Sequence, residues 1–377
     1  MLLDKVESLY IHFPLCRHLC NYCDFYKTAP SVNDRTAKLN EFQSLLSQSI
    51  TRLNHFFIES NAEWGELETL YIGGGTPSLW GESGANFLEN FLEKNKINLS
   101  DTCEATLEVN PGTWTSEGLK AFQKMGFNRF SLGVQSTENN FLEKIDRVHR
   151  KNEVLLTLKK FKELGVNFSV DFMLGLPFSK ELNRNIIGEL EEITSYEPDH
   201  ISLYILTVKE NYPFYKNLPD EDWIENEYLS VSEFLRDKGY EHYEVSNFCK
   251  PNKKSIHNSK YWQGDSIAAL GPSATGYFSE AKKRYKWKTL SADFEIEQLS
   301  ESSARMEKFY LGLRTLEGVD LVTFFEGTDL KIMLDLSREW SKKGLCEINK
   351  NRLFLTPRGY LIMDSLMDEV FIRVKSL

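Results

Sequence analysis

The sequence predicts an α/β fold, a partial (β/α)6 barrel followed by a C-terminal helical, winged-helix-like domain. Apolar strand-like runs alternate with amphipathic runs six times between residue 8 and about residue 240, and parallel strands require such helical crossovers. Six units are fewer than the eight that close a full barrel, so we expect an open one. Periodicity alone does not distinguish it from a flat, doubly wound sheet. Further on, helical patterns precede a short hairpin pattern, which indicates the winged-helix-like module.

The predicted strands are short apolar runs, and the helices between them carry apolar residues on one face. The strands cover Leu9–Phe13, Glu68–Ile72, Ala105–Val109, Arg129–Val134, Asn167–Leu174 and His200–Leu206. The helices cover roughly Arg35–Phe57, Ser83–Lys94, Ser116–Met125, Asn152–Leu164, Lys180–Ser195 and Glu221–Lys238. Together they define a core domain over residues 1–240.

The alternation ends after residue 240. Residues 241–300 are expected to connect two domains, since Tyr240–Phe278 is rich in aromatics, Asn, Gly and Ser and predicts irregular structure with short strands. Residues 301–377 are expected to form the C-terminal domain. Its predicted elements are helices at Ala304–Leu313, Leu321–Phe325 and Lys331–Lys343, strands at Leu345–Ile348 and Leu353–Leu355, and a last helix from near Pro357.

Composition excludes several classes of function. The net charge of −10 argues against general nucleic-acid affinity. The first fifteen residues lack a basic region followed by an apolar stretch, so we expect no signal peptide. Because no apolar run of about 18 residues occurs, we expect no transmembrane segment. Scattered cysteines outside one cluster suit a reducing cytoplasm, where we expect the protein to reside.

The cluster consists of Cys16, Cys20 and Cys23, spaced C-x3-C-x2-C. Three thiols this close cannot all pair as disulfides, so they indicate a metal centre. A cubane iron–sulfur cluster normally takes four thiolates, and three local ligands would leave one iron open to a small molecule. A structural zinc with His12 or His18 as fourth ligand is one alternative. Unliganded structural thiols are another.

Polar residues follow several predicted strands. Gly73–Ser78, Glu108–Gly112 and Gln135-Ser136 each end a strand, and Asp171 lies inside the fifth. Arg147 and His149 follow a short helix pattern. A carboxylate in a strand buried on both faces is costly unless it is paired or bound. Because parallel strand ends meet at one barrel mouth, these residues predict a ligand site there.

These segments carry a specific resemblance. In order, Tyr10–Pro14, the three-cysteine run, Gly73–Pro77, Glu108–Pro111, Gly133–Ser136, Arg147–His149 and Asp171–Pro177 match the radical S-adenosylmethionine (SAM) branch that contains oxygen-independent coproporphyrinogen III dehydrogenase. The resemblance spans nearly the whole chain. It implies a radical SAM barrel with a [4Fe–4S] cluster on the three cysteines and SAM across the strand ends.

The resemblance also implies roles for single residues. Tyr10 and Tyr22 would pack near the cluster and SAM, and the backbone of Gly74, Gly75 and Thr76 would receive the methionine amino group. Glu108 would accept from the ribose hydroxyls. The positions expected to line SAM, or a second SAM, are Gln135, Arg147 and Asp171.

Two departures favour another family within this branch, the haem chaperones called HemW. Phe25 stands where the dehydrogenase has a further cysteine, and a long N-terminal arm is expected to be missing because the first cluster cysteine is at position 16. The element His257-Asn258-Ser259-Lys260-Tyr261-Trp262 is similar to the haem chaperones, and a neutral imidazole is a natural axial haem ligand. A capping or surface histidine is the alternative reading of His257.

The resemblance therefore implies haem, SAM and a [4Fe–4S] cluster as ligands, and haem-accepting proteins as partners. Oxidative decarboxylation of coproporphyrinogen III is the alternative activity, and nucleic-acid binding by the C-terminal module ranks last. Thr275 replaces a histidine that the family often has; if that histidine helps to hold haem in the family, another group must do so here. Cys249 is a candidate thiolate ligand, and a buried, inert thiol is its alternative reading. The sequence leaves the oligomeric state open, with a homodimer as one option.

Overall fold

A nine-stranded sheet forms the centre of the molecule. The computed structural model describes residues 3–374, and the strands of this sheet are β1 Asp4–Phe13, β2 Ala62–Gly74, β3 Leu99–Val109, β4 Arg129–Gln135, β5 Asn167–Leu174, β6 His200–Ile205, β7 Glu241–Glu244, β8 Asn247–Cys249 and β9 Ala268–Leu270. Their order is β7-β8-β6-β5-β4-β3-β2-β1-β9. Strands β1 to β6 are mutually parallel and adjacent in chain order. The predicted α/β fold and its six strands are confirmed.

Helices follow each of the six parallel strands. They are α1 Arg35–Glu59, α2 Gly81–Lys94, α3 Ser116–Lys124, α4 Asn139–Lys144, α5 Lys151–Leu164, α6 Ile186–Thr194 and α7 Glu221–Asp237. The start predicted at Lys180 for the helix between β5 and β6 was wrong. Asn183 has a φ of 47°, which interrupts a helix, and α6 begins only where the Asn185 side chain accepts from the Gly188 N–H.

The two faces of the parallel strands differ in chemistry. Side chains alternate along a strand, and one set is fully buried against the helices in a single apolar core, for example Ile72, Leu107, Leu132, Val170 and Ile201. The other set faces the inside of the barrel and is largely polar, for example Tyr71, Thr106, Arg129, Ser131, Ser169, Asp171, His200 and Ser202. The inside of this barrel is therefore a polar lumen rather than an apolar core.

The segment after α7 extends the sheet at both edges. Strand β8 pairs antiparallel with β6, and β9 pairs parallel with β1. Between them lies helix α8, Ile256–Gln263, where the sequence predicted irregular structure. A second sheet follows, with strands β10 Thr275–Phe278, β11 Lys283–Trp287 and β12 Phe294–Gln298.

The C-terminal region combines helices with a small antiparallel sheet. Its elements are α9 Glu301–Leu313, β13 Val319–Asp320, α10 Leu321–Phe324, α11 Gly327–Lys342, β14 Cys346–Asn349, β15 Arg352–Leu355, α12 Pro357–Leu361 and α13 Met363–Arg373. The sheet order is β13-β15-β14; β14 and β15 form the predicted hairpin, whereas β13 was not predicted. Among residues 3–374, no helix has the length and apolar character needed to cross a membrane.

Candidate functional site

The three clustered cysteines lie on a loop that leaves the end of β1. A pair of backbone hydrogen bonds closes the base of this loop, from Cys16 N to Thr28 O (2.8 Å) and from Thr28 N to Pro14 O (2.7 Å). Cys16 is buried, whereas Cys20 and Cys23 are half-buried. All three face one cavity. The loop therefore presents three free thiols together at the end of the barrel.

Protein groups surround these sulfurs. The Thr76 hydroxyl donates to the Cys16 Sγ over 3.6 Å. Burial raises the pKa of Cys16 and Cys20, and the Arg147 guanidinium partly offsets that rise at Cys20. Both thiols are consequently protonated at neutral pH until a cation binds them.

The thiols do not form a site for a single ion. Within residues 3–374, no three or more His, Cys, Asp or Glu side chains converge on one point as ligands. Tetrahedral zinc needs that convergence, whereas in a cubane each thiolate binds a different iron. Of the suggested fourth zinc ligands, His12 uses both ring nitrogens, for Tyr10 and the Tyr26 carbonyl, whereas His18 bonds Asp146 through Nε2 alone. The donor set fits an iron–sulfur cluster better than zinc.

The glycine loop after β2 is packed tightly against β1. Gly74 has a φ of 106°, and a Cβ there would lie 2.4 Å from the His12 ring. A Cβ on Gly75 would lie 2.8 Å from the carbonyl oxygens of both Phe13 and Leu15. Only glycine permits this backbone path, which brings the loop next to the first cluster cysteine.

The amide groups of the same loop are already used inside the protein. Gly74 N donates to Glu108 (2.9 Å), while the N–H groups of Gly75 and Thr76 donate to backbone carbonyls at the end of β1. With these donors engaged, the loop is poorly suited to an anion. An ammonium group, which needs acceptors, is the chemistry that this backbone can receive.

Glu108 ends β3 on the wall of the cavity. Its carboxylate accepts from the Tyr71 hydroxyl (3.0 Å) and from Gly74 N. Burial and the nearby Asp171 raise the pKa of Glu108 to about 7, although both hydrogen bonds act in the opposite direction. Glu108 therefore changes charge near neutral pH.

A second acidic group and an arginine complete the polar wall. Asp171 accepts from the Ser131 hydroxyl at 3.0 and 3.1 Å, and burial raises the pKa of Asp171. Arg147 donates to Asn110 Oδ1 (2.6 Å) and to the Gly133 carbonyl (2.7 Å). Its Nε is buried without a hydrogen-bond partner among the described residues, so this guanidinium keeps one donor for a ligand.

Gln135 ends β4 with an unusual backbone. Its φ is 70°, and the pairing of β4 with β5 shifts register between Gly133 and Gln135. Such bulges turn a side chain away from the regular alternation and often border functional sites. Here the bulge places Gln135 on the cavity wall.

The cavity has a volume of about 380 Å3, within the usual range for small-molecule sites. It brings together eleven of the thirteen predicted site residues: Cys16, Cys20, Tyr22, Cys23, Gly74, Gly75, Thr76, Glu108, Gln135, Arg147 and Asp171. Tyr22 is half-buried there, and burial raises its pKa to about 12. Tyr10 and His257 do not line it.

Those two residues lie deeper in the polar lumen, in contact with each other. The rings of Tyr10 and His257 have centroids 6.4 Å apart, and the His257 ring stacks on Tyr71 at 5.1 Å. His257 is 2% exposed. Its Nδ1 bonds the Thr69 hydroxyl (2.8 Å), and its Nε2 is buried without a partner among residues 3–374. Burial lowers the pKa of His257 to about 3, so the ring is neutral.

The sequence-based search missed three residues of this site. Tyr71 binds Glu108, Ser131 binds Asp171, and Tyr204 lines the cavity. Tyr71 and Ser131 each lie two residues from a glycine of the segments named above, Gly73 and Gly133, and so share its face of the strand. The two-residue period was the available signal.

Comparisons with known proteins show which families the chain resembles. A family model described as "Radical SAM superfamily" matches residues 10–182, and the HemN C-terminal domain model matches residues 299–362. The chain is 36% identical over 276 residues to the heme chaperone HemW of Buchnera aphidicola subsp. Schizaphis graminum, over 72% of this chain and 70% of that protein. It is 30% identical over 380 residues to the heme chaperone HemW of Bacillus subtilis, over 95% and 97%.

A solved structure shares the fold. Coproporphyrinogen III oxidase (HemN) from Escherichia coli, described as a radical SAM enzyme, superposes with a TM-score of 0.79. The match covers 98% of this chain and 90% of that one at 19% identity. At this identity the likeness establishes the fold and leaves activity to the residues of the site.

Proposed function

The chain belongs to the HemW family within the radical SAM superfamily, and from that membership we propose that it is a haem chaperone. It would bind a [4Fe–4S] cluster, SAM and haem, and pass haem to acceptor proteins. The observation that carries the proposal is the single cavity in which three free thiols, two carboxyl groups and an arginine meet.

Cys16, Cys20 and Cys23 would hold the cluster. A cubane bound by three thiolates supplies an open iron for a chelating ligand. The buried thiols must lose their protons when they are loaded, because burial raises the pKa of Cys16 and Cys20. The positive charge of the iron ions would thus balance the negative charge of the thiolates, which burial in the cavity otherwise disfavours.

The strand ends would hold SAM. The backbone of Gly74, Gly75 and Thr76 would receive the amino group, since its amide donors are already engaged. Glu108 would accept from the ribose hydroxyls. SAM carries a positive sulfonium and an ammonium group, and Glu108 and Asp171 supply the complementary charge. Arg147 and Gln135 would contact the remaining polar groups.

His257 would contribute to haem binding. Its Nδ1 is fixed by Thr69 and its Nε2 has no partner among the described residues, and a neutral ring oriented through its other nitrogen is the form that ligates metals. Because His257 lies on the face of α8 that packs against the sheet, haem would reach Nε2 only when α8 separates from the sheet.

Phe25 supports a chaperone rather than a dehydrogenase. Its side chain is 65% exposed on the rim of the cavity, at the position where the dehydrogenase resembled by this sequence has a cysteine. An apolar ring cannot donate hydrogen or ligate iron there.

The six free cysteines suit a reducing compartment, and we place the activity in the cytoplasm.

The test uses anaerobically reconstituted full-length protein. Haem titration should give a saturable Soret band, and addition of apomyoglobin should draw haem from the complex. In His257→Ala the Soret band should shift and haem affinity should fall, whereas the matched control His55→Ala, at an exposed position, should behave as wild type. Robust conversion of coproporphyrinogen III to protoporphyrinogen IX without stable haem binding would replace the chaperone with the dehydrogenase.

A further inference from the structure

A groove separates α9 from α13 in the C-terminal region, remote in sequence from the cluster. Its volume is about 580 Å3. Met306 and Tyr310 of α9 line one side, and Asp364, Met367 and Phe371 of α13 line the other. None of the functions proposed above uses these residues.

The floor and wall of this groove are apolar. Met306 and Met367 form the floor and are 7% and 4% exposed. Phe371 stands on the wall with 55% of its surface exposed, and the adjacent Ile372 is 82% exposed. Methionine side chains adapt to varied partners, and exposed apolar residues beside a groove mark an interaction surface.

The rim of the groove is acidic. Asp364 and Asp368 are four residues apart on α13 and therefore lie on the same face, and both are exposed. Within residues 3–374 neither forms an ion pair, whereas Glu307 on the opposite rim pairs with Arg284. No Lys, Arg or His of the described chain lines the groove. The rim is therefore negatively charged and attracts cations from a partner, because no basic side chain of the described residues lines it.

We infer that the groove between α9 and α13 docks a basic amphipathic helix of a partner protein. The apolar face of such a helix would lie on Met306, Met367 and Phe371, and its lysines or arginines would face Asp364 and Asp368. Two helices that flank an apolar trough accommodate a third helix in this way. The inference stands whether or not the protein binds haem.

Side-chain contacts connect this groove to α8. The Tyr310 hydroxyl donates to Asp364 (2.9 Å), and Arg314 donates to the Tyr310 oxygen (3.3 Å). The Arg314 guanidinium lies 4.7 Å from the centre of the Trp262 ring on α8. A partner cation at Asp364 would share the carboxylate with Tyr310, so occupancy of the groove should change the surroundings of Trp262.

The probe is a fluorescein-labelled, 14-residue peptide of leucine and lysine with leucines on one helical face. We expect saturable binding by fluorescence anisotropy, which weakens with salt. The double variant Asp364→Asn/Asp368→Asn should bind the peptide at least about fivefold more weakly than the wild type. Phe371→Ser should also weaken binding of the peptide. Glu89→Gln/Glu93→Gln, which removes the same charge from exposed positions of α2, should bind as wild type.

Three outcomes would overturn the inference. One is equal affinity for a peptide of the same composition with its leucines spread around the helix, because that binding needs only charge. Another is equal loss in the α2 variant. The third is concentration-dependent dimerisation by sedimentation that Phe371→Ser abolishes, since a second copy would then occupy the groove.

Discussion

Single residues at the cavity serve the protein's own packing and its proposed ligands together. Gly74 is required because a Cβ would strike the His12 ring, and its N–H also holds Glu108 in place. Glu108 in turn joins Tyr71, which stacks on His257. One tyrosine thus lies between the carboxylate proposed for SAM and the imidazole proposed for haem.

The first prediction concerns the thiols. Replacing Cys16, Cys20 and Cys23 by alanine should abolish the broad visible absorption of the reconstituted protein and reduce bound iron and sulfide from about four each to near zero. The matched control replaces Cys103, Cys249 and Cys346, which are buried away from the cavity, and should retain the cluster. Stoichiometric zinc without sulfide in the wild type would contradict the assignment.

The second prediction concerns pH. The pKa of Glu108 is about 7 without ligand, and a cationic ligand favours its charged form. SAM affinity should therefore be full above pH 8 and fall about tenfold between pH 8 and pH 6 as Glu108 is protonated. Calorimetry of cluster-loaded protein measures this. Glu108→Gln should bind about tenfold more weakly at pH 8 and show a flatter pH profile, and an unchanged profile would remove Glu108 from the site.

Parts of this site could be predicted from the sequence. Glu108 and Gln135 could be predicted because parallel strands bring their ends to one mouth, and Asp171 because a carboxylate inside a buried strand needs a partner or ligand. Tyr71 was missed because an aromatic residue inside a strand has the same pattern as a core residue. The depth of His257 depends on the position of α8, which local sequence does not determine.

Among the elements, α8 shows why local patterns were insufficient. Its Ser255 cap follows a familiar rule, but the backbone N–H groups of Ile256 and His257 are bound by Glu104 of β3. That partner is 152 and 153 residues away in sequence. Strand β9 is similar, because its three residues become a strand only by pairing with β1.

The third prediction tests the hold of Glu104 on α8. Glu104→Gln keeps one acceptor but loses the negative charge at the helix N-terminus, and should lower the free energy of unfolding by about 1 kcal/mol. Urea denaturation gives the value. Glu89→Gln, at an exposed position, is the control and should change it by less than about 0.5 kcal/mol. Equal stability of both variants would mean that α8 is held by packing alone.

The apolar core that stabilises the whole molecule lies between the strands and the helices, outside the lumen of the barrel. The apolar faces of the strands and helices form one continuous core, whereas the polar lumen holds groups such as Asp171, Arg129 and Glu244. Glu244 is fully buried with one oxygen lacking a partner among the described residues. Burial raises the pKa of Glu244 to about 7.

The fourth prediction follows from that shift. The folded pKa of Glu244 lies above its unfolded value near 4.5, so the contribution of this group is most favourable below pH 4.5 and is lost as pH rises through 7. Glu244→Gln should therefore stabilise the protein at pH 8 by on the order of 2–3 kcal/mol and have little effect at pH 5. Thermal unfolding at both pH values measures it, and stabilisation that is equal at the two would exclude titration as the cause.

The place of β9 beside β1 has a consequence for biosynthesis. The chain between Phe13 and Ala268 must be made before this edge can close, which takes on the order of 10–50 s at about 5–20 residues per second. Once β2 has paired with β1, and until β9 has been made, the strand that precedes the loop with the three cysteines has one free edge. Until Ala268 has been made, the free edge of β1 can therefore mispair with a strand of another nascent chain.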